Sequence, residues 1–352
     1  MSKFLIKEYK NLKPYTPGEQ PKERKYIKLN TNESPFPPSK KGVRLANKAL
    51  KSVQLYSDPE CKLLVKTYCE KYGLKENQVL FTNGSDEILN FAFMAFCDKE
   101  KGAAFADITY GFYSVFASIN KVPYTLIPLK EDFTISVKDY KNLNKTIFIA
   151  NPNAPTGIYL TLEEIESVLK ANKKSVVVID EAYIDFGEKS AVSLINKYDN
   201  LLVTQTFSKS RSMAGARLGV GIANEKLIED LNKIKYSLNP YNVNAITMKM
   251  GVGSILDDKY FKNNCQTIIE NRNYLVKELE NIGFTCLNSS ANFIFCKSQK
   301  ISGKKLYENL RERGILVRYF DKERISDFVR ITIGSKKELQ ILIKRVKEIL
   351  GE

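Results

Sequence analysis

The chain has 352 residues, 43% of them hydrophobic and 27% charged, the proportions of a globular protein with material for one large domain or two unequal ones. Its formal charge is +15, yet no block of five or six like charges appears, so the excess lysine suits anionic small molecules better than nucleic acid. It has no histidine, which excludes every Ser-His, Cys-His and histidine-base mechanism and leaves proton transfer to Lys, Asp, Glu, Tyr or a cofactor.

No run approaches 18 uninterrupted apolar residues, so no membrane contact is expected. The opening MSKFLIKEYKNLKPY carries charges where a secretion signal needs an apolar centre, and the expected location is cytoplasmic. The cysteines at 61, 69, 97, 265, 286 and 296 form no CxxC pair, so reduced thiols are expected and no metal site.

Residues 1–40 are rich in proline and polar groups (KPYTPGEQPKERK, NESPFPPSK) and read as an extended arm that packs on something else. Residues 41–254 then alternate strand and helix patterns. The spacing predicts strands at 78–82, 103–106, 125–129, 146–150, 175–180, 201–206 and 217–223, with helices at 86–96 and 162–169. SVVVID (175–180) is apolar throughout, the mark of a strand covered on both faces. This part reads as a large α/β domain, a mostly parallel sheet with helices on both sides. Residues 255–352 read as a smaller α+β domain, with helices at 260–282, 304–313 and 337–350 and strands at 291–296, 315–319 and 329–333.

Four predicted strand ends carry unusual residues, and ligands in such sheets bind beyond the carboxyl ends of strands. Asn83-Gly84-Ser85-Asp86 offers a tight turn and a helix start whose free N–H groups suit an anion, although these residues alone favour a plain turn capped by Ser85. Asn151 to Gly157 (NPNAPTG) is an irregular proline-fixed loop. Asp180-Glu181-Ala182-Tyr183 puts a carboxylate at the end of a buried strand, either as a cap or facing a cation. In TFSKSRSMAGAR (206–217), Lys209 is placed to act as an amine nucleophile, and Thr206, Ser208 and Arg217 offer two hydroxyls and a guanidinium fork to a phosphate.

Taken together the four ends need a ligand with a phosphate, an aldehyde, a ring nitrogen and a phenolic oxygen, and pyridoxal 5′-phosphate has all four. In the order and spacing of LNTNESPFPPS (29–39), NGSDE, ITYGFYS, NPNAPTG, IDEAYIDF, TFSKSRSMAGARLG and VRITIGS (329–335), the chain resembles the fold type I pyridoxal-phosphate aminotransferases. It is most similar to the histidinol-phosphate aminotransferase family.

The resemblance implies that Lys209 bonds the cofactor aldehyde and then moves the proton, that Asp180 pairs with the ring nitrogen and that Tyr183 bonds the ring's 3′ oxygen. It implies Tyr110 stacked on the ring, and Thr206, Ser208, Arg217, Gly84, Ser85 and Asp86 around the phosphate. The family's ring-contacting asparagine just before Pro-Thr-Gly is Ala154 here, and the contact is carried over to Asn153. Tyr56, followed here by Ser57-Asp58, is expected to reach the phosphate in a neighbouring subunit, which implies a homodimer with shared sites. Arg318 and Arg330 are expected to clamp the substrate's anionic tail, with Tyr15, Asn32 and Glu33 helping to close the pocket; a local ion pair with Asp321, Glu323 or Asp327 is the alternative reading.

The activity implied is amino transfer between L-glutamate and a small phosphorylated carbonyl compound, foremost imidazole acetol phosphate. Dihydroxyacetone phosphate as acceptor, or decarboxylation of a phosphorylated amino acid, would use the same residues.

Overall fold

The computed structural model describes residues 2–351. The arm meets its first strand at β1 (Ile27–Lys28). Two helices follow, α1 (Lys40–Ala49) and α2 (Lys62–Tyr72), and then β2 (Val79–Thr82) and α3 (Ser85–Phe96). Next come β3 (Ala103–Ala106), α4 (Phe112–Ile119), β4 (Tyr124–Ile127), β5 (Thr146–Ala150), α5 (Leu162–Ala171) and β6 (Val177–Asp180). The large sheet closes with β7 (Leu201–Thr206) and β8 (Gly219–Ala223), and α6 (Glu225–Leu238) and α7 (Ala245–Leu256) follow.

The sheet order is β2-β8-β7-β6-β5-β3-β4. Only β8 runs against its neighbours, pairing antiparallel with both β2 and β7. Side chains alternate across a strand, and the two faces feed two cores. Ile147, Ile149, Val177, Ile179, Leu201 and Val203 pack under α2, α5 and α7. Phe148, Val178, Leu202 and Ala223 pack under α3, α4 and α6. The central strands β5 and β6 are buried over their whole length, as the apolar run at 175–180 requires, whereas the edge strand β4 is exposed at Tyr124, Thr125 and Leu126.

The second core lies around α8 (Asp258–Glu280), β9 (Phe284–Cys286), β10 (Phe293–Ser298), α9 (Gly303–Glu312), β11 (Ile315–Leu316), β12 (Arg318–Tyr319), β13 (Phe328–Thr332) and α10 (Lys336–Leu350). Its antiparallel sheet runs β12-β13-β10-β9. The strand expected over 315–319 is divided. Ile315–Leu316 pairs in parallel with β1, while Arg318–Tyr319 joins β13. The arm is thereby stitched to this second body, and Glu19 reinforces the seam by accepting from Tyr307 at 2.7 Å and Arg311 at 2.9 Å.

Among the described residues no helix is long and apolar enough to cross a membrane, and no group of three or more His, Cys, Asp or Glu side chains could hold a metal ion.

Candidate active site

A cavity of about 490 Å³ opens where the carboxyl ends of β5, β6 and β7 meet the small sheet and the arm. Of the residues singled out from sequence, all but Gly84, Asn153 and Tyr56 line it.

Alternation along β6 sets the first polar group. Val177 and Ile179 face one helical layer and Val178 the other, so Asp180 shares the α3/α4 face and Glu181 the opposite one. Asp180 Oδ2 accepts from the Tyr113 hydroxyl at 2.8 Å. Its Oδ1 is buried, without a protein partner among the described residues. Burial is the main reason the Asp180 carboxyl is pushed up to about 7, with the Tyr113 hydrogen bond pulling the other way. Glu181 is satisfied on its own side, accepting from Ser190 Oγ and the Ala191 amide at 2.6 Å each and from Gln205 at 2.8 Å.

Lys209 lies just past β7. Its Nζ donates to the Thr31 carbonyl at 3.4 Å and sits 5.8 Å from the centre of the Tyr183 ring. Burial, then the charge of Arg330, lowers the amine to about 8. The residues around it had no role readable from sequence, and the structure gives each an anchor. Ser210 bonds Asp185. Arg211 donates to the Ser254 carbonyl at the end of α7 and to the Tyr72 hydroxyl, with its guanidinium 4.0 Å over the Phe261 ring. Ser212 meets Ser34 of the arm at 2.8 Å. The lysine is thus held from α2, α7, α8 and the arm at once.

Beside it, Thr206, Ser208 and Arg217 converge on the start of α3. Sequence patterning places Arg217 in a strand; in the structure it occupies a left-handed turn at φ 55°, two residues before β8. That turn points its guanidinium back to Ser208 Oγ at 3.5 Å and Asp86 Oδ2 at 3.3 Å. The cap of α3 is Gly84, not Ser85. Gly84 has φ 82°, and a Cβ there would stand 2.6 Å from Arg217 Nη2. First-turn amides of a helix have no intrahelical acceptor, so this corner presents N–H groups, two hydroxyls and a guanidinium to one point. Tyr110 donates to Asp86 Oδ1 at 2.8 Å.

Tyr183 accepts from Asn32 at 3.0 Å. Asn32 is itself fixed, since its Oδ1 accepts from Thr332 of β13 at 3.0 Å. Glu33 pairs with Lys28 at 2.7 Å. Tyr15 stacks on Phe112 at 4.3 Å between ring centres.

Arg318 and Arg330 are register partners across β12 and β13. Like charges directly opposite in an antiparallel pair repel. The alternative of a local ion pair fails: neither arginine bonds Asp321, Glu323 or Asp327. Arg318 donates to the carbonyls of Thr16 and Pro17, and Arg330 to that of Asn30 at 3.1 Å. Arg330 Nε has no partner among the described residues. Aromatic rings lie beside both, Phe320 at 5.4 Å from Arg318 and Phe293 at 5.2 Å from Arg330, and among the described residues no carboxylate pairs with either cation, an arrangement able to take an anion.

One expectation changes. Asn153 turns away from the cavity: its Nδ2 donates to the Ile108 carbonyl and to Thr156, and its Oδ1 accepts from Thr109. Ala154 takes the lining position. Tyr56 is 85% exposed and stacked on Tyr241, outside this chain's cavity. The wall also includes Asn30 and Thr31, and the buried Oδ1 of Asn30 has no partner among the described residues. Nothing in their sequence pattern marks them beyond their place in the arm motif.

The residues present fit pyridoxal phosphate. An amine of lowered proton affinity faces an orphaned carboxylate oxygen, with an anion cradle at one side and a phenol at the other. The family model for aminotransferase class I and II matches residues 24–346. The chain belongs to that aminotransferase family. Among curated aminotransferases it is 48% identical over 352 residues to the histidinol-phosphate aminotransferase of Clostridium beijerinckii, covering 100% of this chain and 98% of the relative. It is likewise 48% identical to that of Brachyspira hyodysenteriae, with 99% of each chain covered. Among solved aminotransferase structures, the histidinol-phosphate aminotransferase of Clostridium acetobutylicum superposes with a TM-score of 0.85 at 27% identity, over 92% of this chain and 99% of that one.

Proposed function

We propose that this aminotransferase passes an amino group between L-glutamate and a small phosphorylated carbonyl compound, with imidazole acetol phosphate and its amine product histidinol phosphate as the physiological pair. The observation that carries the reading is the cross-strand pair Arg318 and Arg330 opening onto the cavity that holds Lys209. One carboxylate or one phosphate satisfies the same two forks, as an enzyme needs when it alternates between glutamate and a phosphate ester. The name shared by the full-length relatives supports the phosphate ester.

Bound at this site, pyridoxal phosphate supplies an electron sink for the bonds at the substrate Cα. The chain's part is to bind, orient and move the proton. Arg217, Ser208, Thr206 and the first amides of α3 would hold the phosphate, and Lys209 would hold the aldehyde carbon. Asp180 Oδ1 would accept the ring N–H, and the Tyr183 hydroxyl would meet the phenolic oxygen. Lys209 would also serve as the base, since burial and the charge of Arg330 lower its hold on a proton. The wall of Tyr15, Tyr110 and the arm restricts water.

The functional unit is a cytoplasmic homodimer. The exposed apolar side chains Leu50, Val53, Leu55 and Tyr56, with Leu238 and Tyr241, support a partner on that face. Tyr56 would reach the cofactor phosphate of the partner subunit.

The deciding experiment is an amino-acceptor screen with glutamate as donor. We expect imidazole acetol phosphate to be preferred over dihydroxyacetone phosphate and aromatic keto acids. A preference for dihydroxyacetone phosphate, or carbon dioxide release from phosphothreonine, would overturn the assignment.

A further inference from the structure

Asp180 does its work only if one carboxylate oxygen faces the cavity in the ionised form. A carboxylate turns readily about its last torsion, so something must hold its plane. The structure offers one side-chain candidate. Tyr113, in the first turn of α4, is completely buried and donates its hydroxyl to Asp180 Oδ2 at 2.8 Å. Its ring is fixed edge-on against Tyr110 at 5.7 Å and 86°, and packs 5.6 Å from Phe105 and 5.8 Å from Phe148. It does not line the cavity. The phenol has one proton, and Asp180 is its one acceptor among the described residues.

We propose that Tyr113 is a positioning residue for amino transfer: its hydroxyl pins Oδ2 of Asp180, which aims Oδ1 at the ring nitrogen and keeps the carboxylate ionised. The inference rests on the pyridoxal phosphate reading given above. Five other groups face this carboxylate, one of them the Ala182 backbone amide, which favours its charge. Asp86 from α3 disfavours its charge, Lys209 beyond β7 favours it, and Tyr110 ahead of α4 and Tyr183 just past β6 are neutral phenols. Burial opposes the charge more than any of them, so the Tyr113 hydroxyl is the largest counterweight. Without it Asp180 keeps its proton to higher pH, and a protonated carboxyl does not balance a protonated ring nitrogen.

The test is Tyr113→Phe, which keeps the ring and its packing. Cofactor affinity of the apoprotein is measured by equilibrium dialysis from pH 6 to pH 9. We expect about a tenfold loss at neutral pH, the scale of one hydrogen bond to a charged group. The loss should shrink toward pH 9, with the midpoint of the affinity profile moved upward. In an Asp180→Asn background the same substitution should change nothing further. A profile superimposed on wild type, or a uniform loss without a pH shift, would overturn the proposal. If Tyr113→Phe does not fold, a fluorotyrosine at 113 keeps the shape and strengthens the donor. The midpoint should then move downward, and an unmoved midpoint is equally fatal. Failure of the wild-type protein to bind pyridoxal phosphate would sink the cofactor reading instead, so the two failures are distinguishable.

Discussion

Asp180 and Glu181 are adjacent in sequence and back to back across one strand, and burial pushes both carboxyls up to about 7. A native carboxyl that titrates above its unfolded value binds more protons than the unfolded chain between the two values. The stability it contributes is complete below its unfolded value, about 4, and is lost as pH rises through about 7. Lys209, lowered to about 8, acts the opposite way but only above that pH. The apoprotein's thermal midpoint should therefore fall between about pH 5 and pH 8, and Glu181→Gln should remove part of that fall, up to about 3 kcal/mol. Identical slopes for wild type and variant in thermal unfolding would show that Glu181 carries no such load. At this scale the sequence was uneven. Lys209, Asp180 and Arg217 could be read because each breaks an apolar strand end with a group that must find a partner. Asn153 could not, because spacing does not say which way an irregular proline loop turns its side chains; here the asparagine bonds Ile108 and Thr156 behind the wall. Tyr113 could not be read either, because its helix, α4, leaves no periodic signal in the sequence and its bond to Asp180 joins residues 67 apart.

The strands were more legible than the helices. Those over 103–106, 146–150 and 201–206 stand where the apolar runs put them. Helices α1, α2, α4, α6 and α7 went unread. In α7, AITMKMGVGSIL lacks a sustained polar face because it is packed on two sides, against α1 and α2. Its closeness to α1 is visible only in three dimensions: a Cβ on Gly253 would stand 2.6 Å from the Gly42 Cα. The division of residues 315–319 between two sheets is also tertiary, since β1 has to arrive from the arm before Ile315 can pair with it. The separated β12 then brings Arg318 opposite Arg330, which costs stability as a like-charged pair. Arg330→Met should raise the KM for glutamate and for the phosphorylated acceptor by about 10- to 100-fold, the worth of a charge-assisted fork. Cofactor affinity should stay level, and the thermal midpoint of the apoprotein should hold or rise. A variant that loses cofactor and stability together with KM would mark Arg330 as a structural cation.

For the whole molecule, the charge of +15 fits a basin for anions. The exposed run from Leu50 to Tyr56 bears on assembly. Sedimentation should give twice the chain mass, and Tyr56→Ala should weaken cofactor retention in the dimer although Tyr56 is remote from its own chain's cavity. Sedimentation as a monomer with full cofactor affinity would refute the shared site. The cavity wall also has two ancestries within the chain. The groups proposed for the cofactor come from the large sheet and its helix ends, whereas those proposed for the substrate's anion come from β12, β13 and the arm stitched to them. Recognition of the substrate and possession of the cofactor are therefore separately editable. Retargeting this scaffold to another amino acceptor should require rewriting the arm and the last third of the chain, while the machinery between them is left as it stands.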